Sequence, residues 1–61
     1  MNITINIDCS NAAFEDSPEF ELSRILDNLA GKIESADLSR FNTTKLYDSN
    51  GALVGIAEVT R

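Results

Sequence analysis

Ten acidic side chains, one thiol and no histidine set the chemistry open to this chain. Without an imidazole or a second cysteine, the nucleophile–base pairs of hydrolases and the ligand spacings of structural zinc sites have no members. Cys9 is the lone thiol, and the acids near it disfavour a reactive thiolate, so a buried structural cysteine is expected. Asp8, Glu15, Asp16 and Glu19 could converge on a hard cation. Their spacing matches no calcium loop, however, and acids beside a helix start are expected from the helix dipole alone. Paired carboxylates can also serve acid–base catalysis, but 61 residues offer little concavity to enclose a substrate. Gly31, Gly51 and Gly55 are too dispersed to cradle a phosphate. The expectation is a protein with no catalytic residues, no metal and no cofactor.

What remains is the surface. Net charge is −5, and Asp8, Glu15, Asp16, Glu19 and Glu21 all precede the first basic residue, Arg24. Beyond that point five acids are balanced by five bases, so the whole excess sits in the N-terminal third. Such a field repels phosphates and favours a protein partner with a basic surface, which argues against direct nucleic-acid binding. Phe14 lies inside this acidic stretch. It suits docking into an apolar pocket within a basic groove, and it equally suits packing against the first turns of a following helix. Asp8, Phe14, Glu15, Asp16, Glu19 and Glu21 are therefore the candidate partner-binding residues.

The elements that must position these residues are readable from periodicity. Residues 2–8 alternate strictly, Ile3, Ile5 and Ile7 against Asn2, Thr4, Asn6 and Asp8, which predicts a half-buried strand. Ser17-Pro18-Glu19 is a helix start, with Ser17 as N-cap and Pro18 at the first helical position. Leu22, Ile25, Leu26, Leu29 and Ile33 then predict an amphipathic helix of about 17 residues, with Phe20 extending its apolar stripe. Gly31 interrupts this helix, which suggests a close backbone contact or an early end. The stretch from Ser35 to Asn42 reads as a loop, with Leu38 and Phe41 tucked under the sheet edge. Thr43 to Asp48 and Ala52 to Thr60 flank Ser49-Asn50-Gly51, a hairpin signal. Gly55 within a strand marks a bulge or the close approach of another backbone.

Two hairpin registers are open. A three-residue loop with Gly51 left-handed pairs Leu46 with Val54, sends Leu46, Val54 and Ile56 to the helix and leaves Tyr47, Leu53 and Val59 on the other face. A two-residue loop pairs Tyr47 with Val54 and again splits the apolar residues. The fold class is α+β, a single two-layer domain over residues 1–61 in β-α-β-β order, one amphipathic helix on a three-stranded sheet. The first strand is expected at the centre, parallel to a hairpin strand through the helical crossover. Apolar residues on both faces of the hairpin point to a homodimer or to docking through Tyr47, Leu53 and Val59. No stretch approaches the roughly 20 apolar residues of a membrane span. With a single cysteine and no leader ahead of the first strand, the expected compartment is the cytoplasm.

The Asn11-Ala12-Ala13-Phe14 segment, the helix Glu21-Leu22-Ser23-Arg24-Ile25-Leu26-Asp27-Asn28-Leu29-Ala30 and the run from Leu46 to Gly55 resemble a group of small proteins encoded by bacterial viruses and prophages. The resemblance spans residues 11–55. It implies a viral accessory protein acting in the host cytoplasm, and small acidic proteins of that origin often inhibit a host nuclease, polymerase or immune complex. It assigns no functional residue. The alternatives are a homo-oligomeric structural or assembly protein, and a binder of a small ligand at a dimer interface.

Overall fold

The computed structural model describes residues 1–35 and 41–61. Strand β1 (Asn2–Ile7) leads through a single 3-10 turn (Ala12–Phe14) to helix α1 (Pro18–Ser35), and β2 (Thr43–Tyr47) and β3 (Leu53–Thr60) follow. The protein is a small α+β domain, one helix on a three-stranded antiparallel sheet. Leu38 lies outside the described residues, while Phe41 is buried in the core.

The strand order is β1-β3-β2, with β3 antiparallel to both neighbours. This corrects the expectation of a central β1 hydrogen-bonded to a parallel neighbour. β1 and β2 do run in the same direction across the helical crossover, but β3 is inserted between them. The physical reason lies in β3 itself, where Gly55 lets the main chain of β1 come close. A Cβ on Gly55 would strike the Asn6 carbonyl oxygen and lie 3.0 Å from Ile7 Cα, so β1 reaches this position only because the residue is glycine.

The hairpin turns through Ser49-Asn50-Gly51. The Asp48 N–H donates to the Ala52 carbonyl at 2.9 Å, the Gly51 N–H donates to the Asp48 carbonyl at 3.0 Å, and Gly51 has φ 83°. This is the three-residue loop with a left-handed glycine. Tyr47 faces Leu53, but Leu46 then faces Gly55 rather than Val54, because a bulge shifts the register between Leu46 and Tyr47. One extra residue in β3 reverses the alternation beyond it. Val54, Ala57 and Val59 turn inward and Ile56 turns outward, which corrects the placement of Ile56 on the helix and of Val59 on the open face.

Helix α1 lays the row Ile25, Leu29 and Ile33 on the inner face of the sheet, and Phe14, Phe41, Leu46, Val54, Ala57 and Val59 complete the core. The contact row has i, i+4 spacing, so Leu26, one residue round from Ile25, remains exposed. Phe20 is exposed as well, correcting its assignment to the stripe. Gly31 neither ends the helix nor meets another backbone: a Cβ there would find nothing within 4 Å. One helix covers only part of a three-stranded sheet. Ile3 and Ile5, at the β1 end of the inner face, stay 45% and 43% exposed.

Candidate functional site

Asp8, Glu15, Asp16 and Glu19 are all exposed, along the stretch that leaves β1 and enters α1. Asp8 closes β1 with a local turn, its Oδ1 accepting the Ser10 hydroxyl at 2.6 Å and the Ser10 N–H at 3.0 Å. These bonds hold its carboxyl below the ordinary carboxylate value. Cys9, expected to be buried, is exposed beside it, because β1 ends at Ile7 and the chain leaves the sheet there.

Two of the expected partner-binding residues are not presented to solvent. The 3-10 turn, closed by the Phe14 N–H to the Asn11 carbonyl and the Glu15 N–H to the Ala12 carbonyl, swings the Phe14 ring into the core, where it is 3% exposed. Glu21 is 8% exposed because it occupies the first position of the row that continues through Ile25 and Leu29, one turn beyond the apolar core. The exposed aromatic of the acidic stretch is Phe20, 73% exposed next to Glu19. Periodicity hid it: Phe20 lies close enough to the Leu22–Ile25 stripe to be counted with it. Among the expected self-association residues, Tyr47 and Leu53 face each other on the open side of the sheet with Ile56 close by, whereas Val59 is internal.

Glu21 works inside a polar network that ties the helix to the hairpin. Its Oε2 accepts the Ser49 N–H at 2.7 Å and the Arg24 Nη2 at 2.9 Å, and Arg24 Nη2 also reaches the Tyr47 carbonyl at 3.3 Å. Asp48, 5% exposed, caps the loop: its Oδ1 accepts the Asn50 and Ala52 N–H groups, each at 2.9 Å, and its Oδ2 accepts Asn11 Nδ2 at 3.2 Å. Arg24 is the main reason the Glu21 carboxyl is held below its ordinary value, and the Ala52 N–H is the main reason for Asp48; in both, hydrogen bonds outweigh burial. Among the described residues no buried side-chain polar atom lacks a partner. The network therefore serves the fold, tying the start of α1 to the hairpin turn.

A groove of about 450 Å³ runs between α1 and β2. Arg24, Lys32 and Lys45 line it together with Asn28 and Tyr47, over a floor of Ile25, Leu29 and Leu46. Asp48 lines it too and Arg24 is paired with Glu21, so the basic character of the groove rests mainly on Lys32 and Lys45. The helical members are spaced for one face in the sequence, but only the packing of α1 on β2 brings Lys45 to them. Among the described residues no group of acids and thiol stands close enough to hold a metal ion, and no helix is long and apolar enough to cross a membrane. Set against known proteins, the chain matches no family model, no curated protein and no solved structure.

Proposed function

We propose that this chain is a small acidic protein-binding module, without catalytic activity, that inhibits or modulates a partner by covering a basic surface, in the manner of a bacteriophage accessory protein acting on a host protein. The observation that carries the reading is the exposed segment Glu15, Asp16, Glu19 and Phe20, three carboxylates and an aromatic side chain all open to solvent within six residues. An exposed ring supplies contact area in the centre of an interface, and like-signed acids near it in the chain steer a basic partner and set specificity more than affinity. Asp8 extends the charge toward the sheet. Phe14 and Glu21 contribute indirectly, by fixing the connector and the first helical turn that present the segment.

The test uses the full chain as bait in a bacterial lysate, beside a triple charge reversal, Glu15→Lys, Asp16→Lys and Glu19→Lys, and a separate Phe20→Ala variant. All four side chains are exposed, so the circular-dichroism spectrum and melting curve should stay near those of the parent. The parent should retain a partner that salt releases, and both variants should lose it. A partner held equally well by the charge-reversed chain would overturn the reading.

A further inference from the structure

Asp8 donates its N–H to the Val54 carbonyl at 2.8 Å, in register with the β1–β3 ladder. Hydrogen-bonding direction alternates along an antiparallel strand, so Asn2, Thr4 and Asn6 direct their main-chain groups at β3. Ile3, Ile5 and Ile7 direct theirs away from it. β3 shows the same parity, since the Val59 N–H reaches across to Asn42 on the β2 side. No strand among the described residues lies beyond β1. The outward edge therefore carries three N–H and C=O pairs, and the side chains of the same three residues stand on the inner face, Ile3 and Ile5 both substantially exposed.

Open edges are normally blunted by charge, proline, a bulge or a cover. β2, the other edge, carries Lys45, runs for only five residues, and has Arg24 from the helix on the Tyr47 carbonyl. Among the described residues nothing covers β1, and Asn2 to Ile7 holds no charge, no proline and no glycine in a chain of net charge −5.

We propose that β1 pairs antiparallel with β1 of a second copy about a two-fold axis through Ile5, joining two sheets into one of six strands. In that register Ile5 bonds the partner's Ile5 and Ile3 bonds the partner's Ile7, using every outward main-chain pair, while Thr4 lies beside the partner's Asn6 and Asn2 beside the partner's Asp8. Apolar side chains meet apolar ones and polar meet polar because the alternation is palindromic about Ile5. With the axis normal to the sheet, both helices stay on one side and the isoleucines of both copies fill the gap between them. Charge selects the occupant: the segment around Phe20 would repel its own copy, whereas β1 brings no like charges together. Among the described residues, pairing consumes the one unprotected edge of each copy, so assembly stops at two chains. It also supplies the association that a small domain with no disulfide needs. The dimer uses a surface separate from Glu15, Asp16, Glu19 and Phe20 and stands or falls independently of them.

The test is residue-resolved amide exchange and solution mass over a hundredfold range of concentration. At high concentration the mass should be twice that of the chain and the Ile3, Ile5 and Ile7 amides should be protected. On dilution these three should lose protection, while Thr4 and Asn6 keep theirs. Ile5→Pro removes an N–H that the single chain does not use, so it should give a folded monomer, whereas Tyr47→Lys and Leu53→Lys should remain dimeric. A chain of single mass throughout, odd-numbered amides that exchange alike at both concentrations, or a dimer broken by Leu53→Lys would each overturn the proposal. Because the exchange comparison needs no variant, it decides the matter even where Ile5→Pro unfolds.

Discussion

Adding one methyl group to each of two glycines should move stability in opposite directions. At Gly55 the new Cβ would strike the Asn6 carbonyl oxygen and lie 3.0 Å from Ile7 Cα and 3.1 Å from the Asn6 carbonyl carbon. All three atoms belong to the main chain, so no rotamer change relieves the contact and β1 must move off β3. Overpacking of this kind costs about 1–3 kcal/mol, and each weakened ladder bond adds about 1 kcal/mol. The lower chain entropy of alanine in the unfolded state returns about 0.5–1 kcal/mol. The net loss is about 2–3 kcal/mol, against a total stability of about 3–9 kcal/mol for a chain of 61 residues. At Gly31, one turn before the end of α1, the Cβ would meet nothing within 4 Å, so Gly31→Ala should gain about 0.5–1 kcal/mol from helix propensity alone. Thermal melts followed by circular dichroism, run at one protein concentration, should show Gly55→Ala lowered by roughly 10–20 °C and Gly31→Ala raised by roughly 3–6 °C. A neutral Gly55→Ala would refute the close approach of β1 to β3, and a destabilising Gly31→Ala would refute the open space beside the helix.

The two phenylalanines that share the acidic stretch should separate in the same assay. Phe14→Ala should cost about 3–5 kcal/mol, enough to unfold much of the population, and Phe20→Ala should stay within about 0.5 kcal/mol of the parent; a reversed order would place the wrong ring in the core. Stability should also fall on acidification. The folded-state values of Glu21 and Asp48 lie below their ordinary values of 4.5 and 3.8, so above about pH 5 neither carboxyl makes stability depend on pH. Below 4.5 the unfolded chain takes up protons first, and stability drains away until the folded carboxyls titrate in turn. Melting temperature measured from neutral pH down to about 2 should show this fall, and Asp48→Asn should flatten part of it; a curve that Asp48→Asn leaves unchanged would remove the turn network from the account.

Local pattern was enough to place α1 and the three strands, though not the 3-10 turn Ala12–Phe14. Strict alternation marks Asn2–Ile7, Ser17-Pro18 starts α1, and Asn50-Gly51 closes the β2–β3 hairpin, each within a few residues of its observed limits. These signals are short-range: side-chain period, the fixed φ of proline and the left-handed tolerance of glycine act within a turn or two of the chain. The N-terminal concentration of acid is equally a property of the sequence. Three things were decided only by tertiary packing. The strand order turned on Gly55, whose missing side chain admits β1 to the free side of β3. The facing of Ile56 and Val59 turned on a one-residue bulge that reverses parity, and a period-2 pattern carries no mark of where such a reversal falls. The division between Phe14 and Phe20, and the burial of Glu21, turned on which row of α1 meets the sheet. A stripe of five apolar residues permits several rotations about the helix axis, and the bonds from the Ser49 N–H to Glu21 and from Arg24 to the Tyr47 carbonyl form only at the rotation that packs Ile25 and Leu29 into the core.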